Sequence, residues 1–454
     1  MRQNQLIAFS CFLLLQFSNP PCFSEPDNAL RFDVRFSKAS GILYLFQTLL
    51  GDVHRCQDLP DGFLKQQRNN IKNKKQVENV RSVFASQTTS LPSRNTESVL
   101  EMLAASSPDV NAFTESARAV LSVDSCAQLS SAISTFLPSY EKYFWKPGQQ
   151  TLIEYKRELE RQSKVVDFSV KLSTVRHIYQ SNWPGACHFT AVLVPIVGSR
   201  KNGGSAHSLG PVIVMEAVRE LRHENRPGIG VVFHEFCHSL WGKRDENVDH
   251  RLSASFKRVG GLDAYNLLDE ALATALGNYI ESLVTGSLAK EPWYAGGGYE
   301  SDYAKAIYPV ITKYFSLNRP FDDEFASSIT DIFKRKFPKG HNDPVVAFWN
   351  TIGIFDEHDR KTKVPSILPS TCHYWTSVSG VTAFELETKR HPEFTLLFMI
   401  TPQRVKELRK YSFSAAEVGQ IETYHTARQS RPWCKTKDGR WAIVCVGENE
   451  DQQI

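Results

Sequence analysis

Two histidines and one glutamate stand at a spacing that can build a metal site. The segment from His234 to His238 reads H-E-x-x-H. On a helix, side chains four residues apart lie on the same face, so His234 and His238 can bind one Zn²⁺ ion between them. Glu235 would lie beside the open coordination position, where a carboxylate can take a proton from a water molecule. The segment therefore predicts a zinc-dependent hydrolase.

A zinc site needs at least one further protein ligand. The longer pattern H-E-x-x-H-x-x-G-x-x-H would add a glycine and then a third histidine after His238. Trp241 and Arg244 occupy those two positions, and His250 lies too far along the chain for the same turn. The sequence therefore argues against a three-histidine site of this type.

Glu270 is the better candidate for the third ligand. Residues at positions i, i+3, i+4 and i+7 share one face of the predicted helix, and after the glutamate this stripe has only small side chains: Glu270, Ala273, Thr274 and Gly277. Along such a stripe a second helix can approach closely enough for a short carboxylate to reach a metal on that helix. A buried carboxylate is unfavourable unless it is paired or bound to a metal. A surface position for Glu270, next to Asp269, is the alternative.

Several helices are predicted from apolar residues at three- and four-residue spacing. The helix with H-E-x-x-H should follow Gly228 and end near Gly242. The charged stretch at 243–250 is interpreted as a loop, and a second strongly periodic helix is expected at 264–284. Further helices are predicted at 301–316 and 322–335.

Strands are predicted where β-branched and apolar residues form short runs. Such runs occupy residues 165–170, 188–197 and 211–215, and another lies at 394–400. Pro195 lacks an amide hydrogen and therefore predicts that its strand lies at a sheet edge. In a protease such an edge could bind an extended peptide substrate. The alternative is an edge strand with no binding role. Cys434 and Cys445 flank Asp438-Gly439, a dipeptide typical of a β-hairpin turn.

The expected fold is α+β and predominantly helical, with a small mixed or antiparallel sheet. We divide the chain into a signal peptide (1–24), a mainly helical N-terminal region (25–165), a metal-binding domain (166–345) and a mixed C-terminal module (360–454). The signal peptide is indicated by Arg2, by the short apolar stretch that follows it, and by a Ser at the expected cleavage site. It predicts a secreted or periplasmic protein.

The chain resembles the gluzincin metallopeptidases, whose best-known members are the thermolysin-like enzymes. The resemblance rests on H-E-x-x-H and on the downstream segment Asp-Glu-Ala-Leu-Ala-Thr-Ala-Leu-Gly, and it covers roughly residues 188–285. It implies a zincin-like domain, with His234, His238 and Glu270 as zinc ligands and Glu235 as general base. Asp269 as a ligand, in the manner of aspzincins, is the less favoured alternative.

The resemblance also points to residues around the metal. Thermolysin-like enzymes carry an Asp four residues after the ligand Glu, where it orients a zinc-bound His. Thr274 stands at that position here, and its hydroxyl can replace the carboxylate only in part. Gluzincins also use a Tyr or His to stabilise the oxyanion of the reaction. Candidates for this role are Tyr299, Tyr303 and His341.

Hydrolysis of peptide bonds in a peptide or protein substrate, with one Zn²⁺ per chain, is the predicted activity. A catalytically weak or inactive zincin-like binding module and a zinc amidohydrolase acting on a non-peptide substrate are the alternatives. The formal charge of +4 on 454 residues is too small to argue for a nucleic-acid partner. After the signal region no stretch reaches the eighteen apolar residues typical of a membrane-spanning helix.

Overall fold

The structure is a computed structural model. The residues that it describes are 30–51, 59–68, 71–86, 96–184, 186–197, 205–221, 226–289, 293, 297–340, 343–355, 374–378, 381–391, 393–426, 433–437 and 440–446. The predicted signal peptide and His341 lie outside these residues. Within them, no helix is both long and apolar enough to cross a bilayer.

The described chain is predominantly helical with two small sheets, which confirms the α+β expectation. The helices are α1 (Lys38–Leu50), α2 (Asp61–Arg68), α3 (Ile71–Ala85), α4 (Thr96–Ser106), α5 (Val110–Ala117), α6 (Val123–Tyr140), α7 (Lys146–Val165), α8 (Phe168–Tyr179), α9 (Ile229–Trp241), α10 (Glu246–Arg258), α11 (Leu262–Asn266), α12 (Leu268–Thr285), α13 (Gly298–Ser316), α14 (Asp323–Lys336), α15 (Pro344–Ala347), α16 (Val381–Arg390) and α17 (Ala415–Thr426). A π-helical turn (Glu141–Trp145) joins α6 to α7, and a 3₁₀ segment (Pro402–Tyr411) precedes α17.

The strands are β1 (Arg31–Phe36), β2 (His188–Ile196), β3 (Ala206–Ser208), β4 (Val212–Val218), β5 (Asn350–Phe355), β6 (Tyr374–Val378), β7 (Thr395–Ile400), β8 (Trp433–Lys437) and β9 (Arg440–Val446). The first sheet has the order β1-β2-β4-β3, in which β3 is antiparallel to β4 and the other pairs are parallel. Every residue of β4, and all but the first of β2, is buried. This burial agrees with their nearly unbroken apolar sequences, which are typical of a sheet covered on both faces.

The prediction that the strand with Pro195 lies at a sheet edge was wrong. That strand is β2, which lies between β1 and β4. The pairing with β1 ends at Leu193, so no β1 residue opposes Pro195. On the other side Pro195 pairs in register with Ala217 of β4. An internal strand tolerates proline here because its neighbour stops two residues earlier.

Two further local predictions were wrong. The run at 165–170 is the end of α7 and the start of α8, where the buried apolar residues Phe168, Leu172, Val175 and Tyr179 have helical spacing. A six-residue window is too short to show that period. The charged stretch at 243–250 contains the start of α10, because the Asp245 side chain accepts a hydrogen bond from the Asn247 amide and caps the helix.

The structure contains the other helices and strands that were predicted individually, together with strands that were not, such as β1 in the N-terminal region expected to be mainly helical. The H-E-x-x-H helix is α9, and α13 and α14 match the two helices expected last. The single helix expected at 264–284 is divided at Leu267 into α11 and α12. The strand at 394–400 is β7, and β8 and β9 form the antiparallel hairpin. Its register places Cys434 opposite Ile443, two residues from Cys445.

The second sheet has the order β6-β5-β7-β9-β8, in which only the β8–β9 pair is antiparallel. Apolar residues of β5, β7 and β9 form one core with α16, α17 and the 3₁₀ segment. The sheet begins at Asn350, ahead of the C-terminal module predicted from 360.

By the density of contacts the chain divides into two compact units. The first contains the described residues within 30–175, 183–242 and 277–288, and therefore joins the N-terminal helices to the first sheet and α9. The second contains residues 176–182, 243–276 and 289–454, including the second sheet. The helix α12 is continuous from Leu268 to Thr285, and the division falls within it.

Candidate metal centre

The helix α9 begins at a well-satisfied N-terminus. Its first amides, which have no partners within the helix, donate to side chains: Ile229 N to Gln162 Oε1 at 2.8 Å, and Gly230 N to Glu281 Oε2 at 2.9 Å. The buried face of the helix consists of apolar side chains: Val232, Phe233, Phe236, Cys237 and Leu240. His234, Glu235 and His238 are half-buried. The helix is therefore held at one end and along one face, while its polar residues keep access to solvent.

Gly277, the last residue of the small-residue stripe of α12, lies against α9. A β-carbon on Gly277 would lie 2.8 Å from the carbonyl oxygen of Gly230 and 3.1 Å from the Cβ of His234. A β-carbon on Gly230 would lie 2.5 Å from the carbonyl oxygen of Gly277. Such distances leave no room for a side chain at either position. The close approach of the two helices therefore depends on both glycines.

His234, His238 and Glu270 form a group that can hold a metal ion. Each contributes one donor atom, and these atoms all lie within 4.8 Å of one another. The two Nε2 atoms are 3.1 Å apart, close to the roughly 3.3 Å expected for two nitrogens about 2.05 Å from one tetrahedral Zn²⁺. Glu270 is only 2% exposed. Among the described residues, this is the single group of at least three His, Cys, Asp or Glu side chains with such spacing.

The carboxylate of Glu270 has a neighbour on its own helix. The Thr274 hydroxyl donates to Glu270 Oε1 at 3.4 Å, and both residues are buried. By the resemblance to thermolysin-like enzymes, Thr274 stands at the position of an Asp that orients a zinc-bound histidine. In this structure its hydroxyl contacts the glutamate, so it can orient the candidate ligand directly.

We expect Thr274→Val to weaken metal binding about tenfold, because losing a hydrogen bond to a metal ligand typically costs 10- to 100-fold in affinity and this bond is long. Thr274→Ser keeps the hydroxyl and is the matched control, for which wild-type affinity is expected. The measurement is competition for Zn²⁺ with a chromogenic chelator. Equal affinities in the Val and Ser variants would show that the hydroxyl does not support Glu270.

Asp269, the alternative ligand, lies outside the metal group and close to a buried arginine. The Arg244 guanidinium donates to the Asp249 carboxylate and, at 3.1 Å, to the Tyr265 hydroxyl, and the charge of Asp269 also acts on it. Tyr265 donates to Asp249 at 2.7 Å. Although burial acts to raise the pKa of Asp249, the charge and hydrogen bond of Arg244 hold that pKa below its usual value. This network ties the segments around α10 and α11 to the first turn of α12.

The sequence did not predict this role for Arg244. At this position the sequence shows only that a third histidine is absent. A buried arginine has no distinctive sequence pattern, because its partners Tyr265 and Asp269 are more than twenty residues away. The only signal in the sequence is the charged stretch at 243–250, and such a stretch favours an exposed loop over a buried ion pair.

The proposed oxyanion-stabilising residues have different surroundings. Tyr303 is fully buried, and its hydroxyl donates to the Ala264 carbonyl at 3.1 Å, so in this conformation it serves the core. Tyr299 is half-buried and donates to Asp343 at 2.6 Å; burial, followed by this hydrogen bond, raises its pKa to about 12. A role for Tyr299 stays a prediction, as does one for His341, which lies outside the described residues.

Glu300, in the first turn of α13, is a charged residue near the candidate centre that the sequence did not single out. Burial raises its pKa above the usual value, and the neighbouring charge of Glu270 adds to this shift. A second carboxylate therefore lies near the metal group. Its proximity could not be inferred from spacing along the chain.

The close approach of α9 and α12 leads to a prediction about Gly277. We expect Gly277→Ala to lower the free energy of unfolding by about 1–3 kcal/mol, because the new methyl group must push the helices apart. The same displacement should weaken Zn²⁺ binding. The measurements are urea-induced unfolding and chelator competition.

Gly419→Ala is the matched control for this experiment. Gly419 lies inside α17, and a β-carbon there would meet nothing within 4 Å. Alanine favours a helix by up to about 1 kcal/mol over glycine, so this variant should be as stable as the wild type or more so. Wild-type stability and metal affinity in Gly277→Ala would show that the two helices can separate without cost.

Comparison of the chain with protein-family models, with curated proteins and with solved structures finds no match.

Proposed function

We propose that this protein is a secreted zinc peptidase with a zincin-like catalytic domain. The observation that carries the proposal is the His234-His238-Glu270 group, with Glu235 next to one of its histidines on the same helix. Two imidazoles and one carboxylate are a donor set typical of catalytic zinc, which keeps a further coordination position for water or substrate. A site that only stabilises the fold is usually closed by a fourth protein ligand.

Zinc supplies Lewis acidity at such a site, by lowering the pKa of water and polarising a carbonyl group. The chain itself supplies the proton transfer. Glu235 would accept a proton from the attacking water and later deliver it to the amine that leaves. Its half-buried position is suited to this work, because the residue keeps access to solvent.

The first sheet offers a place for an extended substrate. Among the described strands β3 pairs only with β4, so it forms one edge of the first sheet. The Ser208 hydroxyl of β3 lies 2.5 Å from the Ser239 hydroxyl of α9, which places this edge beside the H-E-x-x-H helix. A peptide that adds to an open edge is held through its main chain, whatever its side chains are.

The test is incubation of the purified protein with a mixture of unfolded proteins and peptides, with and without a zinc chelator. A peptidase should cleave these substrates, lose the activity on chelation and regain it when Zn²⁺ is returned. Zinc binding without cleavage would favour a binding module. Cleavage of non-peptide amides alone would favour the amidohydrolase.

A further inference from the structure

A separate cavity lies at the N-terminal end of α9, within the first unit. Its volume is about 340 Å³, and its walls come from α7, from residues 226–228 and from the end of α12. Cavities that bind small molecules typically have volumes of about 300–1,000 Å³. The cavity is therefore large enough for a ligand of a few heavy atoms together with water.

Arg226 is the distinctive residue of this cavity. Its side chain is only 9% exposed, and its Nε and Nη1 atoms are buried with no hydrogen-bond partner among the residues that the structure describes. Its ion-pair partner among the described residues is Glu154, whose Oε2 is 3.7 Å from Nη1. That distance exceeds the usual 2.7–3.2 Å of an N–H···O hydrogen bond. A buried guanidinium with unused donors is unfavourable, so a partner for these groups is expected.

The other polar side chains of the cavity wall already have partners. Tyr155 donates to the Pro227 carbonyl at 2.5 Å, Gln162 and Glu281 accept from the first amides of α9, and Glu158 accepts two hydrogen bonds from Arg161. The guanidinium of Arg226 therefore has the strongest remaining capacity to bind a ligand.

We propose that this cavity binds a small, singly charged carboxylate through Arg226. The planar guanidinium presents parallel N–H groups that match the two oxygens of a carboxylate. Glu158 and Glu281 also line the cavity, and their charges would repel a dianion such as phosphate more strongly than a monoanion. The site requires neither zinc nor peptidase activity.

Occupation of the cavity should stabilise α9. The side chains of Gln162 and Glu281, which belong to the cavity wall, accept hydrogen bonds from the first amides of this helix. A ligand that holds these walls together favours the folded form and raises the temperature of unfolding as its concentration increases.

The experiment is a calorimetric titration of the full-length protein with sodium acetate, with ionic strength held constant by chloride. We expect saturable binding of one acetate. Arg226→Met, which keeps an apolar stem but removes the guanidinium, should weaken this binding by about ten- to a hundredfold. Arg219→Met is the matched control, because Arg219 lies outside the cavity wall and pairs with Glu220. It should bind acetate as the wild type does.

A His238→Ala variant separates this site from the metal centre, where acetate could also bind. Acetate binding that persists in His238→Ala and is lost in Arg226→Met supports the proposal. Binding that is lost in His238→Ala, or kept in Arg226→Met, overturns it. Tighter binding of inorganic phosphate than of acetate overturns the preference for a monoanion. If Arg226→Met does not fold, Arg226→Lys keeps the charge without the planar group and should also bind acetate more weakly.

Discussion

Replacement of Glu235 by glutamine is expected to lower kcat/KM for peptide cleavage by about 100- to 10,000-fold, the usual contribution of a positioned general base. Glutamine has nearly the same shape but cannot accept a proton from water at neutral pH. Zinc should still bind with a stoichiometry near one, because His234, His238 and Glu270 are unchanged. The measurements are steady-state cleavage of a fluorogenic peptide and metal content by atomic emission.

Glu246→Gln provides the control for this experiment. Glu246 begins α10, and its side chain is 78% exposed, so the same change of charge should leave activity and zinc content as in the wild type. Full activity in Glu235→Gln would reject the general-base role. Loss of zinc in that variant would show instead that Glu235 maintains the metal group.

Replacement of Glu270 by alanine should reduce zinc affinity at least about a hundredfold, since the loss of groups that merely support a ligand already costs about 10- to 100-fold. Peptidase activity should fall with it. His238→Ala should have the same effect, because either change leaves two of the three donors. Chelator competition measures the affinity, and circular dichroism checks that the helices persist.

Asp269→Asn separates the two possible acidic ligands. Asp269 lies outside the metal group, and its charge acts on Arg244, so its amide variant should keep zinc. Stability is the property more at risk, because the Arg244 network would lose one of its charges. Wild-type zinc binding in Glu270→Ala, together with loss of zinc in Asp269→Asn, would reverse the assignment.

The cavity around Arg226 could not have been predicted from the sequence. Arg226 and Pro227 stand just before a glycine and a helix, which marks them only as part of a turn. The walls come from α7 and α12, which are separated by more than a hundred residues. That a guanidinium is buried there, with donors unused, follows only from how these two helices pack.

The local errors have a similar origin. The β-branched residues at 165–170 are compatible with either a helix or a strand. The burial of the neighbouring apolar side chains determines that the segment is helical. Val165 and Val170 are 55% and 59% exposed, while the apolar residues buried in α8 follow the helical period. Pro195 was correctly recognised as unable to donate to a neighbouring strand. Where β1 ends, however, is a property of the sheet and not of β2.

The sequence by itself determined which residues share a helix face. The spacing of His234 and His238, and the small-residue stripe that contains Glu270 and Gly277, follow from the helical period, which is a local property of the chain. Only the tertiary structure decided what each side chain contacts. It places the Thr274 hydroxyl on Glu270, the Tyr303 hydroxyl in the core and the Arg244 guanidinium on Tyr265, because each of these contacts depends on how segments pack in space.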